Sequence, residues 1–592
     1  MKFRTQSGTV LDMLLALETV HSRGARFLTA SMAETFYPYS EVLKRIKTSA
    51  ATLQKNGVKK GDRVAVILPT GIQFFDAFLG AQLAGGIPTA LYPPFRMGKL
   101  DDYFAHLREM MNRIGARFLI TDSRIRKLLG QATTVESLER VFEAKDLFEN
   151  TSSTAADWKK IDVQEDEPVF LQFSSGTTLK PKAVVVSHRN LIENLKMMGN
   201  TLDQVYLDGT EADRGCVTWL PLYHDMGLVG CLYEGLSYPA TITYLGPEMF
   251  VGYPAIWLQA ISKYKAVISP APNFAFGLCL NKIKDKEMEG VDLSHWWLAL
   301  NGAEPIDVDT MKRFTERFAQ WGFRKTAIAP VYGLAEAGLG VTFPELQQEP
   351  VVTEFDRDKL SAEGRAVRGT GRRLASVGKP LPGLELEIRD PDGAVLPEGY
   401  AGRIFINGPS ITSGYYNDPE MTADIIGPDG WLNTGDLGFF FEGNLYIGGR
   451  AKDLIILRGR NYAPQEFEDP IYELDGLRLG CAVAVSTTVE GQGEQLIILA
   501  EKDSRSDRSD ADIAAEVKTR MLGAVSVEPW HVEILEPGTL PRTSSGKMRR
   551  SEALRQFLAG ELTPPEKVTT LKILKEVAKS QLAWARFSLT KK

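Results

Sequence analysis

Residues 40–91 alternate between two hydrophobic periods, and this alternation constrains the fold more than any other stretch. In SEVLKRIKTSAATLQKN (40–56), Val42, Ile46, Ala50 and Leu53 recur at helical spacing, with Ser40 placed as an N-cap. Gly57 and Gly61-Asp62 end that segment, and Arg63 to Leu68 reads as a strand. Phe74 to Leu83 returns to the helical period, and Ile87 to Leu91 forms a second strand before Pro93-Pro94. Helix, strand, helix, strand predicts a parallel sheet with crossover helices, because parallel strands cannot be joined by a tight turn. With 592 residues, three or four structural units are expected.

A polar connector (151–166) separates this unit from a second α/β layer. There the apolar runs Val169 to Phe173 and Ala183 to Val186 flank a loop, and Ser187-His188 opens a helix. Further strands are expected at Arg214 to Trp219, Ala266 to Ser269 and Thr326 to Ala329, with a glycine-rich turn at 223–230 and a helix over 306–319. From about residue 377 the texture changes to short β runs (384–388, 402–406, 445–447) with the turn signals Asp390-Pro391-Asp392-Gly393 and Pro428-Asp429-Gly430, which predicts a small β-barrel. After Lys452 the pattern restarts as a separate α+β domain: strands at 454–457, 481–486 and 495–501, and helices from Pro464 and over 510–522. The tail, 564–592, has helical spacing at Leu571, Ile573, Leu574 and Val577 and is expected to pack.

Composition excludes some functions. A formal net charge of −6 without a basic stripe argues against nucleic-acid binding. Four scattered cysteines, with no CxxC, fit buried thiols in a reducing, cytoplasmic compartment. The first twenty residues carry an apolar patch broken by Asp12 and Glu18, unlike a signal peptide, and no apolar run reaches membrane-spanning length.

The chemistry lies in the loops. Ser174-Ser175-Gly176-Thr177-Thr178, followed by Lys180-Pro181-Lys182, offers backbone N–H groups, hydroxyls and ammonium groups, the set that a polyphosphate needs, although GxxxxGK[ST] does not fit. The alternative reading is a polar loop between strands. Tyr332, in PVYGLAEA after a strand, can stack on adenine, and Glu336 four residues later can hold a Mg²⁺ that also binds phosphate oxygens. Asp436 in TGD can accept both ribose hydroxyls, and Arg450 in GRAKD can bond ribose or phosphate.

These strings, with YHDMGL (223–228), NGAEP (301–305) and PRTSSGKMRR (541–550), resemble in order the motifs of the acyl-adenylate-forming superfamily, and most closely its fatty acyl-AMP ligase branch. Leu179 and Ala183 stand where many members have glycine, and Leu334-Ala335 where many have threonine before the glutamate. The resemblance spans about residues 35–555. It implies an N-terminal domain over 1–451 with an insertion at about 341–375, a hinge at Lys452, and a mobile C-terminal lid over 453–592. It further implies a nucleotide site that includes Gly302, Ala303, Glu304 and Gly333, an acyl tunnel bordered by His224, Asp225, Met226 and Gly227, and Lys547 as the catalytic lysine. The expected reaction joins ATP to a fatty acid with Mg²⁺, giving acyl-AMP and pyrophosphate. The acyl group then goes to the phosphopantetheine thiol of an acyl carrier protein or carrier domain of a polyketide or lipopeptide system. An acyl-CoA synthetase and a catalytically inactive adenylate-binding protein are the alternatives. Arg549, Arg550 and Arg555 are expected to offer a basic docking face to the acidic carrier.

Overall fold

The computed structural model describes residues 8–94, 100–174, 181–206, 215–457, 460–489, 493–543, 547–565 and 570–590. The helix expected from residue 40 runs Tyr39–Lys55. Its cap is Pro38 (φ −55°, ψ 146°), while the Ser40 N–H donates to Val20 O, so Ser40 lies inside the first turn. Proline's fixed φ starts the helix two residues earlier than a Ser40 cap would.

This helix packs on the helix Ile72–Leu83, and a buried ion pair joins the two. Arg45 donates to Asp76 through Nε (3.0 Å) and Nη2 (2.6 Å), with the guanidinium 3.9 Å from the Phe148 ring centre. Burial pushes the Asp76 carboxyl up to about 6 even against Arg45. Asp76→Ala would strand the Arg45 cation among apolar neighbours, and a loss of about 3–5 kcal/mol is expected in denaturant unfolding. Arg45→Met with Asp76→Leu should recover most of it.

The first sheet is all parallel, in the order Ile87–Ala90, Arg63–Ile67, Phe118–Thr121, Arg140–Glu143. The second runs Glu34–Pro38, Gly24–Leu28, Ile242–Tyr244, Cys216–Thr218, with its last three strands mutually parallel. The strand expected at 266–269 reduces to one residue, Ile268, bridged to both Cys216 and Leu298. Pro270, which has no N–H to donate, interrupts the ladder, and the pairing resumes at Ala271, bridged to Asn301. The phosphate-loop strands form an antiparallel hairpin, Pro168–Phe173 with Ala183–Ser187, and His188 opens the helix to Tyr206.

The β-rich region is an eight-stranded sheet whose pairings among the described residues follow an open path, from Tyr332–Gly333 to Glu385–Arg389. It incorporates the 341–375 segment as regular structure. Val352–Asp356 pairs antiparallel with Gly371–Pro380, and between them the helix Arg357–Glu363 is capped by Asp356 and stopped by Gly364 at φ 65°. Phe355 holds this segment to the sheet, fully buried against Phe439, Phe441 and Tyr446.

Beyond Lys452, a three-stranded sheet (Leu477–Val489, Gly493–Lys502, His531–Leu535) carries the helix Asp510–Val525 around its own core. The chain then returns to the first domain. The terminal helix Thr570–Thr590 lies on Leu129–Thr134, where Gly130 N donates to Ser580 Oγ (2.7 Å) and Trp584 Nε1 to Arg126 O (2.9 Å). A side chain at Gly130 would come within 2.3 Å of Ser580 Cα. The tail is therefore a strap on the large domain. Trp584→Ala is expected to raise amide exchange across 570–590 and leave the 477–535 sheet protected.

All four cysteines are buried free thiols, and no helix among the described residues is long and apolar enough to cross a membrane.

Candidate active site

Loop ends from both α/β layers, the β-rich region and the lid meet around one cavity of about 1330 Å³. Ser174 and Lys182 flank its phosphate-loop side, and the Ser174 N–H donates to Lys182 O (3.1 Å), closing the base of the loop. Ser175, Gly176, Thr177 and Thr178 lie outside the described residues. Lys182 Nζ is 5.0 Å from the Tyr415 ring centre, and Tyr415 Oη donates to Glu336 Oε1 (2.9 Å). Tyr415 was not expected at the site. Its only sequence signal is the aromatic pair in SGYY (413–416), far from any motif.

Glu336 sits on a single 3-10 turn, Ala335–Ala337, where burial pushes its carboxyl up against the pull of Tyr415, Arg450 and Lys182. A buried carboxylate in that setting gains from a cation beside it. Among the described residues no group of three or more His, Cys, Asp or Glu could hold a metal ion.

Another side of the cavity is built by a hairpin. Strands Leu432–Phe441 and Asn444–Arg450 place Arg450 directly opposite Asp436, and Arg450 Nε stands 3.1 Å from Asp436 Oδ1. Tyr332 Oη donates to the other oxygen, Oδ2 (2.7 Å). Asp436 is 6% exposed, so its carboxylate is held in place from both sides while bordering the cavity. Gly333 lies under it, where a Cβ would be 2.0 Å from Leu339 O.

Opposite this, Asn301–Glu304 turns sharply. Ala303 adopts φ 69°, and a Cβ on Gly302 would stand 2.9 Å from Val331 O, so the chain passes close to the Val331–Tyr332 backbone. The turn sends Glu304 to Phe274 N, from which its Oε1 accepts at 2.5 Å. Burial raises the Glu304 carboxyl, with Lys547 and Arg542 opposing.

YHDMGL is helical rather than a turn: His224 caps Asp225–Gly227, which continues as a π-helix, Leu228–Tyr233. His224 Nδ1 lies 2.6 Å from Asp225 Oδ1. Burial works to raise Asp225, but the His224 imidazole, the Lys547 ammonium and the Met226 N–H outweigh it and hold the carboxyl at about 2. Met226 borders the cavity. Gly227 faces away from it, packed so that a Cβ would be 2.3 Å from Pro221 O.

Lys547 comes from the C-terminal domain. Thr543 Oγ1 accepts from its backbone N–H (3.0 Å), and the side chain is in the electrostatic reach of Asp225, Glu304 and Asp436, while burial lowers its affinity for the proton. Lys452, on the 3-10 turn Ala451–Asp453, also lines the cavity. Arg550 departs from the expected docking face. It donates to both oxygens of Glu468 (2.9 and 2.6 Å) and lines the cavity, while Arg555 pairs with Glu552 and Glu561.

Similarity to other proteins agrees with this geometry. Residues 20–416 match the model of the AMP-binding enzyme family. A Caulobacter vibrioides protein provisionally named an acyl-CoA synthetase is 35% identical, over 88% of this chain and 90% of its own. Long-chain-fatty-acid–AMP ligase FadD26 of Mycobacterium tuberculosis is 33% identical, over 88% of this chain and 91% of its own. A solved structure from a study of fatty acyl-adenylate ligases of E. coli and L. pneumophila superposes with a TM-score of 0.87 at 32% identity, covering 95% of this chain and 99% of that one. The chain belongs to the AMP-binding enzymes, in their fatty acyl-AMP ligase branch.

Proposed function

We propose that this enzyme activates a fatty acid as its adenylate and passes the acyl group to the phosphopantetheine thiol of a carrier protein. The observation that supports the first step best is the meeting of the lid's Lys547 with Asp436, Arg450 and Glu336 around one cavity. A substrate carboxylate oxygen attacks the α-phosphorus of ATP, the bond from that phosphorus to the pyrophosphate oxygen breaks, and pyrophosphate leaves. No protein nucleophile is needed, so the chain's work is positioning and charge neutralisation. Asp436 and Arg450 hold the ribose, Tyr332 supports Asp436 and flanks the base, and Lys182 with the 174–178 loop takes the outer phosphates. Lys547 neutralises the oxygens of the phosphoryl group under attack. Mg²⁺ at Glu336 would offset phosphate charge when bound.

In the second step the carrier thiolate attacks the acyl carbon and AMP leaves, the thiol proton having gone to solvent. A swing of the lid about Lys452 would remove Lys547 and admit the thiol arm. In support, the 341–375 segment is clamped to the lid as it stands: Arg357 donates to Ala524 O, Arg372 pairs with Glu466 (3.2 Å), and Arg460 with Asp358 (2.6 Å). Such a clamp would bias the lid against the rotation that CoA, lacking a carrier's docking surface, would have to drive unaided. The test offers purified acyl-AMP to the enzyme with either a phosphopantetheinylated carrier protein or CoA. Thioester on the carrier and little on CoA supports the reading, and comparable acyl-CoA formation overturns it.

A further inference from the structure

The helical stretch beginning at Asp225 gives the cavity a scale of depth. Asp225 stands at the Lys547 end; beyond it Gly230, Glu234 and Tyr238 recur every four residues, all bordering the cavity, so one face of this stretch is a tunnel wall. At about 1.5 Å per residue, and less in the π-helical part, Glu234 lies roughly 12 Å deeper than Asp225. The facing wall, from the helix His188–Tyr206 and the strand Ile242–Tyr244, brings Met198, Leu202 and Ile242 to the cavity, with Asp203 as its one carboxylate among the described residues.

Glu234 does not belong in an apolar tunnel. Its Oε2 is shut off from water and has no hydrogen-bonding partner among the described residues. Among the described residues, the titratable groups acting on it are Asp203, Cys231 and Tyr238, none of them a cation, and burial together with Asp203 pushes the carboxyl well above its usual range. That shift favours the protonated carboxyl, which can both donate and accept. The Tyr238 hydroxyl is directed to Asn200 Oδ1 (3.4 Å), and Gly199 makes room for the Tyr238 ring, since a Cβ there would stand 1.9 Å from Cε2. Oε2 is walled in, and Glu234 is among the residues that border the cavity, so its side chain meets what enters there. A plain alkyl chain would cover that carboxyl without satisfying it, whereas a hydroxyl at its depth supplies a donor and an acceptor.

We propose that Glu234 is a specificity-determining residue that reads a hydroxyl carried on the acyl chain, which makes hydroxylated long-chain carboxylic acids the preferred substrate class. The inference rests on the adenylation reading above and goes beyond it. The test measures kcat/KM for pyrophosphate release across a series of ω-hydroxy acids and their unsubstituted counterparts of equal length. Wild type should favour the hydroxy acid by about tenfold or more at the length that reaches Glu234, and lose that preference at shorter lengths. Glu234→Gln, which keeps a donor and an acceptor, should retain most of the preference. Glu234→Leu should abolish it, with folding checked by thermal denaturation of both variants. Equal rates for the two acids at every length in wild type, or an unchanged preference in Glu234→Leu, overturns the proposal. Pyrophosphate release with none of the acids would instead overturn the adenylation reading.

Discussion

Replacing Lys547 with alanine is expected to cut acyl-AMP formation at least about a hundredfold, with the affinity for ATP changed far less. In the folded enzyme this ammonium is buried among Asp225, Glu304 and Asp436, and burial already lowers its pKa. A cation desolvated in this way interacts strongly with charge that grows on a phosphoryl group in the transition state, an effect of about 3 kcal/mol or more when water is excluded. On the proposed reading ground-state ATP is held mainly by groups on the other domain, so the loss should fall on kcat. Lys547→Arg keeps the charge but presents it on a planar fork of different reach, and should restore only a minor part. The check is stopped-flow pyrophosphate release beside an equilibrium titration with ATP. A Lys547→Ala variant with near-normal kcat would remove this residue from the chemistry.

Asp436→Ala is the second large effect, and it should appear in KM for ATP. The carboxylate is fixed by Tyr332 Oη at 2.7 Å and Arg450 Nε at 3.1 Å. On the proposed reading its removal takes away the acceptor for the ribose hydroxyls and the shared partner of Tyr332 and Arg450, at about 1–3 kcal/mol, equivalent to a rise of roughly 5- to 150-fold in KM. Asp436→Asn keeps the shape and one acceptor and should fall between. Unchanged KM for ATP in Asp436→Ala would mean that the carboxylate only pins the hairpin.

The parts of this protein legible in its sequence are those fixed by short-range chemistry. The alternation over residues 40–91 encodes the parallel sheet because helix and strand impose different hydrophobic periods. Asp436 and Arg450 lie on the two strands of one tight hairpin, which brings them close, although a bulge between Leu437 and Gly438 shifts the register by one residue and so sets Asp436 against Arg450 rather than Gly449. Where residues distant in sequence decide, the reading failed. Arg550 looked like a free surface cation, yet Glu468, eighty-two residues earlier, claims it. Tyr415 reaches Glu336 only because the β-rich region folds back on the phosphate-loop hairpin, where Val184 bridges Tyr415. The 341–375 segment read as a polar insertion because only alternate residues of its strand face inward: Thr353 and Phe355 are buried, while Val352 and Glu354 are exposed. His224–Leu228 is rich in turn-forming types, and its helical state comes from the His224 cap and from packing against Pro221. Glu234 carries no motif at all. A lone carboxylate in a helical stretch gives no sign in sequence of having an apolar tunnel in front of it.

The most direct test of the central claim is mass-spectrometric detection of product after incubating the enzyme with ATP, Mg²⁺ and a long-chain carboxylic acid, with no thiol acceptor present. The account predicts that acyl-AMP and pyrophosphate form in equal amounts, and that Lys547→Ala forms neither at a comparable rate. ATP bound but left intact, across chain lengths and with or without a hydroxyl, would contradict it and leave the protein an adenylate-binding scaffold.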